Sequence, residues 1–238
     1  MPERFNTDYY SFNRQDSDRP ALRFYARLAR KHCPPGRLLD FGCGTGYLLK
    51  RLREFTQIDG FDISEYARQA TAERVPGAVI HAELDAIPQE SFSGIIALHV
   101  LEHVDDAGLA RILYQWNRVL MPGGRVICVV PDPNGKGFSL KRENWFAFRD
   151  PSHINLKSRG EWRSLFTSAG FSVLKVGTDG LWDFPYSSWA PRWLDAALHS
   201  IGTVVQFLAG DLLLAEGKGE SVILILEKPV EPSSPCAR

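Results

Sequence analysis

The sequence predicts an α/β fold, a doubly wound and mostly parallel sheet with helices on both faces. Short apolar runs alternate with amphipathic stretches along most of the chain, the order in which strands and crossover helices build a parallel sheet. Residues 125–130 read as a continuous apolar strand, as expected when both faces are covered. The run Leu38-Leu39-Asp40-Phe41-Gly42-Cys43-Gly44-Thr45-Gly46 describes a strand, a bare-backbone turn and a helix starting near Tyr47. Glycine is needed where φ turns positive or another group comes within contact distance.

The elements follow in order. A helix over 19–31 precedes the first strand, 37–41, and a second helix takes 47–53. After a strand at 57–61, Ser64 caps a helix with Tyr66, Ala67 and Ala70 on one side. The third and fourth strands take 78–81 and 94–98. Between Asp105 and Leu120, the residues Leu109, Ile112, Leu113, Trp116 and Val119 recur at the spacing of a core-facing helix. Met121-Pro122-Gly123-Gly124 breaks that helix ahead of the fifth strand. Ser158 and Glu161 make a capping box for a helix carrying Trp162, Leu165 and Phe166, and Gly170 closes it. The last two strands take 171–176 and 221–227. Ligands of such sheets bind beyond the carboxyl ends of the strands, where the chemical motifs of this chain also fall.

The chain thus divides into a core with an N-terminal helical segment (1–176), an insertion (177–219), a final core strand (220–228) and a tail (229–238) whose composition predicts disorder. The insertion opens with aromatics such as Trp182, Phe184 and Trp189, then carries an apolar stripe from Leu194 through Ile201 and Leu208 to Leu212. It reads as a substrate lid. The stripe has three readings: packing against the sheet, a homodimer through 194–212, or contact with a membrane surface. Few basic residues flank it, which ranks the membrane last.

Composition excludes several classes. Hydrophobic residues at 44% and charged residues at 24% are enough for a sizeable core. Lys+Arg and Asp+Glu both number 28, so no global field draws the chain to nucleic acid or an anionic membrane. Cys33, Cys43, Cys128 and Cys236 include no C-x-x-C pair; Cys43 and Cys128 read as small packing residues of a reducing compartment. The N-terminus has no apolar signal core, and no stretch reaches the roughly 20 apolar residues of a membrane span. A cytoplasmic location is expected.

A carboxylate at the end of the first strand suits a ligand carrying an ammonium or a hydroxyl, and suits a pyrophosphate poorly. The G-x-G-x-G spacing also differs from the dinucleotide G-x-G-x-x-G. Leu-Asp-Phe-Gly-Cys-Gly-Thr-Gly resembles the first motif of the class I S-adenosylmethionine-dependent methyltransferases, and the resemblance runs roughly over 9–171 and returns at Gly219-Glu220-Ser221. It implies a Rossmann-like sheet with one antiparallel strand and S-adenosyl-L-methionine as cofactor. By that resemblance Asp40, Gly42, Cys43, Gly44 and Gly46 form the loop that holds the amino-acid end. Asp62 and Ile63 end the second strand at the ribose, where a carboxylate matches a vicinal diol. Glu83 and Leu84 meet the adenine, with Asp85 competing for the role of Glu83. His99 borders the cofactor, and Tyr10 or Tyr9 covers it.

Methyl transfer needs alignment, exclusion of water and a poised acceptor, but no covalent nucleophile. Leu98-His99-Val100-Leu101-Glu102-His103-Val104 follows the fourth strand and resembles a signature of the small-molecule and quinone branches. His153 lies in the loop after the fifth strand. Three readings stay open: His99 or His153 is a general base; the set with Glu102 and His103 binds a divalent metal; or Glu102 and His103 only order the loop. The first two make His153 and His99 the catalytic candidates, His153 ahead of His99, and leave the metal undecided. No Asn/Asp-Pro-Pro-Tyr tetrapeptide occurs, which argues against the exocyclic-amine nucleic-acid methyltransferases. The expected acceptor is an oxygen or nitrogen of a small-molecule or glycan-linked compound. The alternatives are a quinone precursor and a catalytically silent cofactor-binding scaffold.

Overall fold

The structure, a computed structural model, describes residues 5–13 and 15–230, so the expectation of a disordered tail lies outside the described residues from 231 onward. The strands are β1 (Leu38–Phe41), β2 (Ile58–Phe61), β3 (Ile80–His81), β4 (Phe92–Leu98), β5 (Leu120–Pro131), β6 (Ser172–Thr178) and β7 (Ser221–Glu227). They form one sheet in the order β3-β2-β1-β4-β5-β7-β6. Only β7 runs against its neighbours, pairing antiparallel with both β5 and β6, so the predicted fold class holds. The helices are α1 (Thr7–Phe12), α2 (Pro20–His32), α3 (Tyr47–Leu52), α4 (Glu65–Arg74), α5 (Asp106–Val119), α6 (Lys136–Lys141), α7 (Phe146–Arg149), α8 (Arg159–Ser168) and α9 (Arg192–Ala209).

Alternation along the strands feeds two cores. Leu39, Phe41, Ile95 and Ala97 face Trp116 of α5 and Trp162 of α8. Leu38, Ile96 and Ile127 face Leu28 of α2 and Leu49 of α3 on the other side. The 126–130 stretch is buried throughout, as a run covered on both faces requires. The register sets Asp40 beside Gly60 of β2 and Ile96 of β4. From β1 the chain winds one way to β2 and β3, and from β4 the other way to β5. The crevice this leaves lies at the carboxyl ends of β1 and β4.

Two expectations need correction, short helices were not anticipated, and one of the three readings of the 194–212 stripe falls away. The predicted break at Met121–Gly124 lies inside β5, as a bulge between the Phe92–Leu120 and Gly94–Arg125 pairs. Gly123 takes φ +73°, and exchanges with Lys228 (Gly123 N to Lys228 O 2.8 Å, Lys228 N to Gly124 O 2.9 Å) keep the strand paired. In α4 the buried residues are Ala67 and Thr71, not Tyr66 and Ala70, because Thr71 must reach the glycine bend. The short α1 was not anticipated; its signal was Asn6, whose side chain accepts from Tyr9 N at 3.2 Å. The apolar stripe of α9 does not pack on the sheet. The helix ends at Ala209 with Gly210 in the left-handed region, and its buried residues are the polar Asp195, Thr203 and Gln206.

These polar side chains face inward because the insertion's irregular backbone needs partners. Asp195 accepts from Tyr186 N (2.7 Å) and Ser187 N (2.8 Å). Thr203 accepts from Leu181 N at 3.0 Å. Gln206 donates to Thr178 O and accepts from Leu213 N and Leu214 N, each at 2.8 Å.

Candidate active site

The glycine bend after β1 is shaped by what surrounds it. Gly42 (φ +74°) lies so close to Val100 that an added Cβ would sit 2.4 Å from Val100 Cγ2, and at Gly44 (φ +53°) the nearest atom would be the Tyr10 ring at 3.4 Å. Gly42 N and Cys43 N donate to Phe61 O, and Thr71 Oγ1 donates to Gly44 O at 2.7 Å. Cys43 turns its thiol into the core beside Thr71, where burial pushes its pKa up. It contributes backbone to the bend, as a packing cysteine should. Gly46 (φ +82°) is set behind the bend against Thr71, away from the cavities.

Two acids flank the bend. Asp40 is buried, with no hydrogen-bond partner for Oδ2 among the described residues. Burial, with the neighbouring Asp62 charge, pushes its pKa up to about 8. Asp62 already has structural work: Oδ2 accepts from Gly44 N (2.9 Å) and Oδ1 from Ser64 N (2.8 Å). Each oxygen keeps a second lone pair for a ligand. Burial raises this pKa and the two backbone N–H groups lower it, the net being upward.

A cleft of about 380 Å³ runs from the bend over the ends of β2 and β4. Asp62, Ile63, Glu83, Leu84, His99 and Tyr10 all line it. Asp85 lines it too but accepts from Gln115 Nε2, while Glu83 has no such partner among the described residues. Tyr10 is buried against Tyr66 with ring centroids 5.6 Å apart, closing the cleft from α1.

A second cavity of about 790 Å³ meets the first at Tyr9, Gly42, Gly44, Leu98, His99 and His103. Its walls include Asp40, His153, Phe146 and, from the insertion, Trp182 and Phe184. Trp189, predicted with these aromatics, is exposed instead. Sequence reading missed Tyr25, Asp179 and Glu220, which line this cavity. Tyr25 donates to Asp179 at 2.9 Å, and Tyr186 donates to Glu220 at 2.5 Å. Burial pushes Glu220 up to about 8. The recurrence of the family pattern at Gly219-Glu220-Ser221 was the one available signal.

Between the cavities lies a histidine cluster. His99 takes φ +55°, unusual for a residue with a Cβ, and its N–H is held by Val129 O at 2.8 Å. Its Nδ1 lies 3.1 Å from Oε1 of the fully buried Glu102. Glu102 Oε2 has no partner among the described residues. Burial alone would raise the Glu102 pKa, but hydrogen bonding and charge from His99, His103 and His153 bring it below the usual carboxylate range. His153 donates Nδ1–H to Ala147 O at 2.6 Å, which leaves Nε2 facing Glu102 (3.9 Å) and Asp150 (3.8 Å). Desolvation holds the His103 pKa down. Ser152 donates to Asp150 at 2.5 Å, so His103 Nδ1 donates to Ser152 Oγ at 2.8 Å and its Nε2 accepts from Tyr9 OH at 3.2 Å.

Glu102, His103 and His153 bring ligand-type atoms within 4.8 Å of one another. Both ring nitrogens of His103 are already engaged, so the trio fits a hydrogen-bonded relay better than a metal's coordination shell. His32, His81 and His199 each face a carboxylate: Asp211 (2.8 Å), Asp59 (2.7 Å) and Asp195 (3.6 Å).

The profile of a methyltransferase domain family matches residues 12–176. An uncharacterized protein of Escherichia coli, YafE, is 34% identical over 129 residues, covering 52% of this chain and 55% of that protein. A ubiquinone biosynthesis O-methyltransferase from a Bradyrhizobium strain is 32% identical over 136 residues, 50% of each chain. The chain thus spans about half the length of the curated relatives it matches. Among solved structures, a SAM-dependent methyltransferase from Archaeoglobus fulgidus superposes with a TM-score of 0.63 at 19% identity, covering 92% of this chain and 99% of that one. One from Mesorhizobium loti gives 0.57 at 18%, covering 87% and 96%. At these identities the structural likeness speaks for the fold.

Proposed function

Because the chain belongs to the class I S-adenosylmethionine-dependent methyltransferases, we propose that it moves a methyl group to an oxygen or nitrogen of a small-molecule or glycan-linked acceptor, with His99 as general base. One observation carries this reading: His99 stands where the two cavities meet, with Nδ1 on Glu102 and the other ring nitrogen left for an acceptor.

The cofactor fits the residues present. The orphaned, buried Asp40 Oδ2 calls for a donor such as an ammonium, and Gly42 and Gly44 line the cavity wall beside it. Asp40 and the bend would hold the amino-acid end, Asp62 the ribose hydroxyls, Glu83 and Leu84 the adenine, and Tyr10 the cover. When bound, the cofactor supplies an electrophilic methyl on a sulfonium. Glu102, buried and ionised, accepts from His99 Nδ1 and fixes the orientation and tautomer of the ring. His99 Nε2 then takes the proton that the acceptor's hydroxyl or amine must lose. His153 lines the acceptor cavity and, with its ring tied to Ala147 O, orders the loop beside the reacting group. No step needs a metal.

Within this reading, the similarity to ubiquinone biosynthesis O-methyltransferases favours a quinone precursor as one acceptor to test. Acceptor classes are screened with methyl-labelled cofactor. His99→Ala is expected to lower kcat by about 10²–10⁴-fold while leaving cofactor affinity nearly unchanged, and His153→Ala to slow turnover less. Full activity in His99→Ala would rule out the proton transfer; binding of cofactor with no transfer to any acceptor class would support a silent scaffold instead.

A further inference from the structure

The outward face of α9 is apolar along its whole length. Its 18 residues span about 27 Å. Trp193 is 73% exposed, Ile201 71% and Leu208 73%, with Leu198, Val204 and Val205 between them. The residues that would normally face water, Asp195, Thr203 and Gln206, are the ones spent on the insertion's backbone. A contiguous patch of this kind marks an interaction surface, unlike scattered exposed leucines.

The charge beside it is one-sided. Arg27 of α2 donates to Phe207 O at 2.8 Å and lies 5.3 Å over the Phe207 ring, which fixes α2 alongside the end of α9. Arg23 stands one turn earlier on the same side of α2, and Arg192 begins α9. None of the three is in an ion pair with an acid among the described residues. The one acid on either helix, Asp195, is buried. A chain balanced at 28 cations and 28 anions therefore shows an apolar ridge edged by cations and by no acid of its own two helices.

We propose that this face docks on an anionic lipid bilayer, with α9 in the plane of the interface, Trp193 at headgroup depth and Arg23 and Arg27 on lipid phosphates. Anionic headgroups complement those cations. A second copy of the chain would not: two-fold pairing of α9 faces brings the arginines of both copies to one seam with no exposed acid from either helix to meet them. The same insertion that carries α9 walls the acceptor cavity through Trp182 and Phe184, and Arg192 lines it. Docking would bring that cavity to the bilayer, where an amphiphilic acceptor resides.

The test is co-sedimentation of the full chain with vesicles of pure phosphatidylglycerol and of pure phosphatidylcholine. It needs neither cofactor nor acceptor, so its failure leaves the methyl-transfer reading standing. The chain is expected to pellet with phosphatidylglycerol and much less with phosphatidylcholine. Ile201→Glu with Leu208→Glu should weaken vesicle binding at least about tenfold, and Arg23→Glu should weaken it in a salt-dependent way. Both variants should keep the wild-type circular dichroism and cofactor affinity. Failure to pellet with phosphatidylglycerol overturns the proposal, as does pelleting that the double variant leaves intact. A dimer in gel filtration that the double variant splits, with no vesicle binding, overturns it in favour of a second copy.

Discussion

Asp40 and Asp62 are both buried acids beside the same bend, yet they differ in what they lack. Asp62 has two backbone donors and Asp40 has an oxygen with none. With its pKa pushed up to about 8, Asp40 is protonated in the free protein at pH 7, and a ligand ammonium favours the ionised form. Cofactor binding below pH 8 should therefore release a proton. Affinity should climb by up to about tenfold per pH unit toward 8 and level off above it. Calorimetry in buffers of different ionisation enthalpy reads the proton directly; no release would remove Asp40 from the amino group. Asp62→Ala is expected to weaken cofactor binding by about 1–3 kcal/mol. Because Gly44 N and Ser64 N also lose their acceptor, the melting temperature should fall as well. The family resemblance pointed to both acids. It did not point to the stapling of the bend by Asp62, since that depends on where β2 delivers the side chain.

At the scale of the element, the Ser64 and Ser158 caps and the inward stripes of α5 and α8 were legible, while the Asn6 cap and the inward face of α4 were not. The Ser158–Glu161 box is present, with Ser158 N donating to Glu161 at 2.7 Å and Glu161 N to Ser158 Oγ at 3.3 Å. Ser158→Ala should cost about 1 kcal/mol of stability in denaturant unfolding and leave cofactor affinity alone; a change in affinity would tie α8 to the site. The α9 stripe was the harder case. Periodicity says which side chains share a face but not which way that face points, and here backbone demand from residues 181–187 and 213–214 decided the orientation. The cations beside α9 were hidden for a related reason. Apart from Arg192, they are absent from its flanks in sequence because α2 supplies Arg23 and Arg27, from the opposite end of the chain.

For the molecule as a whole, Asp211 ties distant parts together. It accepts from Lys31 (2.8 Å) and Lys175 (3.2 Å), with His32 Nε2 at 2.8 Å, so α2, β6 and the segment after α9 meet at one carboxylate. These bonds hold its pKa below the usual carboxylate range against the opposing effect of burial. A depressed acid stabilises the fold at pH values above its unfolded pKa of about 4 and loses that contribution as pH falls through the folded value. Asp211→Asn should thus cost about 1–3 kcal/mol at pH 7, and the gap from wild type should shrink steadily below pH 4. A gap independent of pH would mean that packing, not charge, is lost. The mostly parallel sheet followed from the strand and helix alternation; this junction did not, because its members stand far apart in the chain.

The two hollows meet along Tyr9, Gly42, Gly44, Leu98, His99 and His103 but keep separate far walls, Glu83 and Leu84 in one and Trp182 and Phe184 in the other, so nucleoside and acceptor need not pass one another. Spent nucleoside should be able to leave while the modified compound is still seated, and the reverse. Initial-rate patterns from such an arrangement intersect as for random addition, with no compulsory first substrate.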